Sequence, residues 1–197
     1  SDRLVIVPEW EEYHTKKGEK VLRLNPGMAF GTGGHNTTRL CLAMLDEISP
    51  SGKEVLDMGC GSGILSIAAL LLGAKNVTAI DIDQLATKIS HENAALNGVD
   101  NENFTVYCGN ILEDDNLADV IGQKPYDIIV ANIVADVIIA MAPLFQRFIK
   151  EDGILIVSGI IESRAHEVTD RLEAVGFSIE EVQEDNDWVA AVCKLKR

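Results

Sequence analysis

The feature that most constrains this chain is a glycine-rich stretch that follows an apolar run. Residues 55–63 read VLDMGCGSG, with glycine at every second position from Gly59 to Gly63. Residues 64–70 read ILSIAAL and predict a helix, so the pattern is strand, glycine turn and helix. In a parallel sheet such a turn lies at the carboxyl end of a strand, where ligands bind, and glycine lets a ligand approach the main chain. The stretch predicts a ligand site, against the alternative of an ordinary glycine-rich turn.

A second apolar strand ends in acidic residues. Residues 77–83 read VTAIDID, which places Asp81 at the tip of this strand. A carboxylate at the tip of the second strand, roughly 20 residues past the glycines, is where a ribose diol is bound. Asp81 stands at this position and is a candidate for that role. The alternative is a helix N-cap, but Asp83 suits that role better because a helical run begins at Gln84.

The rest of the chain alternates strands and helices. Short strands are predicted at 4–7 and 19–25, and a first helix at 39–45. Seven sheet strands are predicted at 53–57, 77–81, 104–109, 126–131, 154–159, 177–182 and 188–195. Helices are predicted at 64–72, 84–97, 134–149 and 162–175, the third of them interrupted or kinked at Pro143, with a short helix within 113–124. A polar turn at 183–187 makes the last two strands an antiparallel pair. The fold class is α/β, a doubly wound, Rossmann-like, mostly parallel seven-stranded sheet with an antiparallel last strand and helices on both faces.

Length and composition favour one α/β domain. With 197 residues, 47% of them apolar, the chain can fill a sizeable core. We expect residues 1–50 to carry the N-terminal strands, a glycine-rich loop and the first helix, and residues 51–197 to form the core. No apolar run is long enough for a bilayer and no leader opens the chain, so the expectation is a cytoplasmic protein without a membrane partner.

Charge and cysteine content bear on partners and metals. The net charge of −14 opposes a surface that binds nucleic acid directly. It favours a basic partner through long-range attraction, or it only confers solubility, and both interpretations stay open. Four cysteines are scattered without C-x-x-C spacing, so neither a metal site nor a disulfide framework is predicted.

The loop before the first helix is the second unusual stretch. Residues 25–38 read NPGMAFGTGGHNTT, with four glycines and one proline around the apolar Met28 and Phe30. A flexible linker would lack such apolar residues. The loop therefore predicts a lid over a ligand, against the alternative of an ordinary loop that covers a sheet edge.

These motifs together resemble a known family. The order D-x-G-x-G-x-G resembles motif I of class I methyltransferases, which bind S-adenosylmethionine. Combined with the loop, it is similar to the ribosomal protein L11 methyltransferase family, and the similarity continues through IDID at 80–83, ENAALNGV at 92–99, VANI at 130–133 and SGI at 158–160. This chain carries Gly34 and Asn36 where the family usually has Thr and Pro.

The resemblance implies an S-adenosylmethionine-dependent protein N-methyltransferase acting on lysine side-chain and N-terminal amines of ribosomal protein L11. The cofactor contacts that it implies are Phe30, Gly31, Thr32, Thr38, Asp57, Gly59, Gly61, Gly63, Asp81, Ile82 and Asn132. Many relatives carry an Asp for the adenine amino group where this chain has Asn110, and the lone His35 is expected to be structural or a helix cap. Family members have an N-terminal substrate-recognition domain, so the chain is expected to be a catalytic fragment or a natural short form.

Asn132 is the predicted catalytic residue. It ends the fourth sheet strand, where methyltransferases that act on nitrogen often carry Asn or Asp in an N-P-P-[YF]-like motif, although Ile133 and Val134 replace the prolines here. The alternative is a turn residue at the end of a strand. A lysine amine must be neutral to attack a methyl group, and its ordinary pKa is about 10.4. A carboxylate beside the amine would hold the proton, whereas a neutral amide oxygen accepts a hydrogen bond without that penalty.

Three rival functions remain at this stage. An NAD-dependent dehydrogenase is disfavoured because the acid precedes the glycines and the G-x-x-G half is missing. A methyltransferase for another amine, either a small molecule or a nucleic-acid base, fits the same motifs. A non-catalytic module that has kept the cofactor-binding fold is the third.

Overall fold

The computed structural model of the chain describes residues 3–25, 33–100 and 102–196. In chain order the elements are β1 (Leu4–Pro8), β2 (Lys20–Leu24), α1 (Asn36–Ile48), β3 (Glu54–Met58), α2 (Ile64–Leu71), β4 (Asn76–Asp81), α3 (Gln84–Leu96), β5 (Phe104–Cys108), α4 (Asp115–Ile121), β6 (Tyr126–Asn132), α5 (Ala135–Phe148), β7 (Ile149–Ile161), α6 (Ala165–Ala174), β8 (Phe177–Asp185) and β9 (Trp188–Leu195). A single 3-10 turn, Glu162–Arg164, precedes α6.

Seven strands form one sheet in the order β5-β4-β3-β6-β7-β9-β8. Neighbours from β5 to β7 are parallel, and β9 is antiparallel to both β7 and β8. The predicted doubly wound sheet with an antiparallel last strand is confirmed. The chain runs outward from β3 through β4 to β5 and then returns to the other side of β3 as β6. This reversal leaves a crevice at the carboxyl ends of β3 and β6, where open α/β sheets bind ligands.

Side chains on the two faces of the sheet pack against two separate layers of helices. Val55 of β3 joins a buried cluster with Leu45 of α1 and Ile67 of α2. Its neighbour Leu56 points to the opposite face and joins a cluster that includes Phe145 of α5. Successive residues of a strand face opposite sides, so a run of apolar residues fills both cores.

The N-terminal strands form a small sheet of their own. β1 and β2 pair in parallel, and Leu22 and Leu24 of β2 are buried in the same cluster as Ile67 of α2. Helix α1 lies over β6, β7 and β9 of the main sheet. The described part of the first 50 residues therefore packs directly onto the seven-stranded core.

Helix α5 continues through Pro143, so the predicted interruption is wrong. A proline has no N–H to donate to the carbonyl four residues earlier, which here is that of Ile139. That carbonyl oxygen instead accepts from Nε of Arg171 in α6, at 3.4 Å. A side chain from the neighbouring helix thus replaces the missing backbone donor.

The turn between β8 and β9 is shorter than predicted and contacts the start of α1. β8 extends to Asp185, and Asn186, with a φ of 54°, takes the left-handed turn position. The Asn36 side chain donates to the Asp185 carbonyl at 3.0 Å, and Arg39 pairs with the Asp185 carboxylate. A proline at position 36 would lack that amide donor. His35 is the N-cap of α1, and its Nδ1 accepts from the Thr37 backbone N–H at 3.3 Å, so the predicted cap role is confirmed.

None of the helices in the described ranges is long and apolar enough to cross a bilayer. The four cysteines are free thiols; Cys41, Cys60 and Cys193 are buried, and Cys108 is exposed. Within the described residues, no cluster of His, Cys, Asp and Glu side chains has the geometry of a metal site.

Candidate functional site

Backbone hydrogen bonds hold the glycine turn against the end of β4. The N–H groups of Gly59 and Cys60 donate to the Ile80 carbonyl at 2.8 and 3.1 Å. The Gly61 N–H donates to Oδ2 of Asp81 at 2.8 Å. The motif after β3 and the acid after β4, found separately in the sequence, therefore form one unit.

Asp81 is oriented from both sides. Its Oδ1 accepts from the Asp83 N–H at 2.9 Å, while Oδ2 holds the Gly61 N–H. Asp83, in turn, is the N-cap of α3, with its side chain accepting from the Leu85 N–H at 2.8 Å, as predicted. The Asp81 carboxylate is thus fixed at the edge of the sheet by backbone donors and has further lone pairs for a ligand.

Asn132 lies at the end of β6, beside β3, and contacts α1. Its Nδ2 donates to the Thr38 hydroxyl oxygen at a long 3.4 Å. Its Oδ1 is buried and has no hydrogen-bond partner among the described residues. A buried acceptor without a partner costs free energy, which makes this oxygen a candidate contact for a ligand.

A cavity of about 420 Å³ opens beside these groups. The described residues that line it are Gly59, Gly61, Ile80, Asp81, Ile82, Gly109, Asn110, Ile111, Leu112, Asn132, Ile133, Val134, Val137 and Met141. Most of its wall is apolar, and the polar groups come from the ends of β3, β4, β5 and β6. A ligand with a flat apolar part and a polar part suits such a cavity.

The structure brings together five of the predicted site residues in this lining, namely Gly59, Gly61, Asp81, Ile82 and Asn132. Thr38 is fully buried and lies behind Asn132. Asp57 and Gly63 are also outside the lining. Residues 26–32 of the predicted lid, which include Phe30, Gly31 and Thr32, lie outside the described residues. Cofactor contact at all of these positions stays a prediction.

Asp57 points into the core, away from the cavity lining. Its Oδ2 accepts from the backbone N–H and the hydroxyl of Ser66 in α2, at 3.1 and 2.6 Å. Its Oδ1 is buried without a hydrogen-bond partner in the described part of the chain. Burial, and to a smaller extent the negative charge of Asp81, raises the pKa of the carboxyl from 3.8 to about 6, although the two Ser66 hydrogen bonds lower it.

The sequence singled out Asn110 but did not identify the rest of the wall formed after β5 and by α5. Asn110, Ile111 and Leu112 follow β5, and Val137 and Met141 lie on α5. The Asn110 oxygen accepts from the Leu112 N–H at 3.2 Å, so its amide NH₂ is the group left for a ligand. The sheet topology could have indicated this wall, because β5 runs parallel to β4 and therefore ends at the same edge of the sheet as the glycine turn.

Gly63 is the residue at which the turn meets α3. It has a φ of 79°, and a Cβ atom there would lie 2.8 Å from Cβ of Ser90. Gly63→Ala is therefore expected to lower the free energy of unfolding by about 2 kcal/mol, from left-handed strain plus the steric clash.

Gly52→Ala is the matched control for this prediction. Gly52 also has a positive φ, of 73°, but a Cβ atom at this position would have no heavy atom within 4 Å beyond its neighbours in the chain. Gly52→Ala should lower the free energy of unfolding by only about 1 kcal/mol, because backbone strain is its only cost. Urea denaturation of both variants compares them, and equal losses would show that the contact with Ser90 is not tight.

A doubly wound sheet with a glycine turn after β3 and an acid after β4 is the arrangement of class I methyltransferases. A solved putative methyltransferase complexed with SAH shares this fold, with a TM-score of 0.70 at 16% identity over 83% of this chain and 50% of that one. A family model described as ribosomal protein L11 methyltransferase matches residues 1–196. The chain belongs to the ribosomal protein L11 methyltransferase family.

Individual relatives agree with this assignment. A ribosomal protein L11 methyltransferase of Acetivibrio thermocellus is 46% identical over 98% of this chain and 59% of its own length. One from Caldanaerobacter subterraneus is 46% identical over 98% of this chain and 60% of its own length. The crystal structure of ribosomal protein L11 methylase from Lactobacillus delbrueckii has a TM-score of 0.88 at 36% identity, covering 100% of this chain and 97% of that one. The chain spans about three fifths of the length of the curated relatives it matches.

Proposed function

We propose that this chain is an S-adenosylmethionine-dependent protein N-methyltransferase, acting in the cytoplasm on amines of ribosomal protein L11. Family membership and the names of the relatives support the reaction and the substrate. The observation that carries the proposal is the amide oxygen of Asn132, which has no hydrogen-bond partner among the described residues and lies beside a cavity that begins at the glycine turn. A neutral acceptor of this kind suits an incoming amine.

The residues present fit the cofactor. Asp81 offers a fixed carboxylate for a ribose diol, as the sequence predicts, and Ile82, which is 70% exposed, offers an apolar face beside it. The turn leaves no room for a side chain at Gly59, where a Cβ atom would lie 2.4 Å from Cγ2 of Ile133. The bound cofactor would supply an electrophilic methyl group on a sulfonium sulfur.

In this proposal, Asn132 binds and orients the amine. Deprotonating a lysine amine at pH 7 costs roughly 4–5 kcal/mol, from its ordinary pKa of about 10.4. The apolar wall of the cavity, including Ile133 and Val134, lowers that cost because it disfavours the ammonium. The amide oxygen accepts an N–H from the neutral amine, and the Nδ2 contact with Thr38 holds the amide in place. Orientation of this kind contributes to the rate through proximity.

Asp81→Ala is expected to weaken binding of S-adenosylmethionine by about 1–2 kcal/mol, because charge-assisted hydrogen bonds to the diol are lost. Titration calorimetry measures this. The control is Asp83→Ala, which removes the N-cap of α3 and should lower stability by about 1 kcal/mol while affinity stays close to that of the wild type. Unchanged affinity in Asp81→Ala would exclude the ribose role.

The proposed reaction is tested with labelled S-adenosylmethionine and a set of acceptors. The set contains ribosomal protein L11, L11 with chemically blocked amines, an unrelated basic protein, small amines and an oligonucleotide. We expect label in unblocked L11 alone, with mass spectrometry placing it on lysine side chains or the N-terminal amine. Label in the small amines or the oligonucleotide but not in L11 would overturn the substrate assignment. No transfer to any acceptor, despite tight cofactor binding, would overturn catalysis itself.

A further inference from the structure

The motif ENAALN at 92–97 has no role in the site described so far. It forms the end of α3, with Asn93 in the last turn and Asn97 as the C-cap residue, and these two asparagines are four residues apart and share one helix face. Neither lines the cavity among the described residues. Asn93 is fully buried, at 0% exposure. A buried amide in a helix requires partners for both of its polar groups.

Asn93 joins two segments that are far apart in sequence. Its Nδ2 donates to the Ser62 carbonyl at 2.9 Å, and its Oδ1 accepts from the Asn25 N–H at 3.0 Å. Ser62 is the residue between Gly61 and Gly63 in the glycine turn, and Asn25 directly follows β2. One side chain therefore fixes the turn to both α3 and the N-terminal strands.

Asn97 makes a comparable set of bonds but does not contact the turn. Its Oδ1 accepts from the Arg23 N–H at 2.8 Å, and its Nδ2 donates to the Arg23 and Asn93 carbonyls, each at 2.7 Å. It thus holds β2 to α3 in the same way that Asn93 does. The two asparagines differ in burial, since Asn93 is fully buried and Asn97 only partly, and in the bond to Ser62 that Asn93 makes.

We propose that Asn93 is a positioning residue for the cofactor site, acting by holding the Ser62 carbonyl. This inference rests on the proposed function for its ligand. Gly61, which precedes Ser62, donates its N–H to Asp81, so a rotation of the turn disturbs the acid that orients the ribose. Without Asn93 the Ser62 carbonyl loses this donor, and the turn can shift toward other partners. Asn93 therefore acts on the ligand through the turn and does not touch it.

The first test needs no ligand. Amide hydrogen exchange at Gly61, followed by NMR, reports the bond to Asp81. Asn93→Ala should speed exchange at Gly61 at least tenfold relative to the wild type, whereas Asn97→Ala should leave it within twofold. Equal exchange at Gly61 in the wild type and Asn93→Ala would overturn the proposal, whether or not the chain binds S-adenosylmethionine.

The second test uses affinity for S-adenosylhomocysteine, measured by calorimetry on variants shown to be folded. Asn93→Ala should weaken binding about tenfold, and Asn97→Ala should change it less than twofold although it also removes hydrogen bonds between α3 and β2. Asn93→Asp separates the two bonds, because a carboxylate still accepts from Asn25 but cannot donate to Ser62; it should bind as weakly as Asn93→Ala. Equal affinity losses in Asn93→Ala and Asn97→Ala would show a purely structural role. If the wild type does not bind S-adenosylhomocysteine, the proposed function is refuted. Amide hydrogen exchange at Gly61 would then be the only test of whether Asn93 positions the turn.

Discussion

Asn132→Asp should methylate about tenfold more slowly than the wild type at neutral pH, with its optimum displaced to higher pH. The substitution is nearly isosteric, and the new carboxylate can accept from the Thr38 hydroxyl where the amide donated to it. It places a negative charge beside the amine and raises the amine's pKa. A rise of about one unit corresponds to about 1.4 kcal/mol in the population of free amine. The rate should therefore partly recover as pH rises.

Asn132→Ala is the matched comparison. It removes both the acceptor and the contact with Thr38, so the amine is no longer oriented. We expect the methylation rate of Asn132→Ala to be about 100-fold below that of the wild type at every pH, without the recovery at high pH that is expected for Asn132→Asp. Rates across pH are measured beside the affinity for S-adenosylhomocysteine, so that a binding defect is separated from a catalytic one. If Asn132→Asp has the rate and pH profile of the wild type, Asn132 is a structural residue and the amine is received elsewhere.

The alternation of strands and helices was sufficient to predict the sheet and the residues at its edge. Parallel strands end at the same edge, so Gly59, Asp81 and Asn132, each found at a strand end, were bound to come together. The caps at His35 and Asp83 were predictable as well, because capping depends on local sequence. The short helix α4, also local, appears within the predicted range.

Features that depend on distant residues could not be predicted in the same way. Nothing near Pro143 in the sequence indicates that Arg171, from another helix, supplies the missing donor to α5. The bonds of Asn93 reach Ser62 and Asn25, which lie 31 and 68 residues away. Such contacts follow from how the layers pack, and a motif of asparagines on a helix does not specify its partners.

The position of Asp57 could be predicted from the sequence only in part. The acid before the glycines resembles a cofactor contact, yet its side chain faces the α2 side of the sheet and binds Ser66. Val55, two residues earlier, packs in the cluster that contains Ile67 of α2. Since residues two apart in a strand share a face, Asp57 lies on the α2 side together with Val55. The strand period predicts that these two residues share a face, but which helix covers that face follows from the packing of the layers.

The buried Asp57 carboxyl should make the stability of this protein depend on pH between about 4 and 6. Its folded pKa of about 6 lies above the ordinary 3.8, mainly because burial disfavours the charged form. Well below pH 4 the carboxyl is protonated in both the folded and the unfolded state. As pH rises toward 6, the unfolded chain releases the proton that the folded chain retains, so the free energy of unfolding falls, by about 3 kcal/mol in total.

The variant Asp57→Asn tests this expectation, because its side chain cannot titrate while every other group remains in both proteins. We therefore expect the stability of the wild type relative to Asp57→Asn to be greatest below pH 4 and to decline through pH 6, measured by urea denaturation at each pH. A difference that stays constant from pH 4 to 7 would mean that Asp57 keeps an ordinary pKa, and that Oδ1 is solvated or paired in solution.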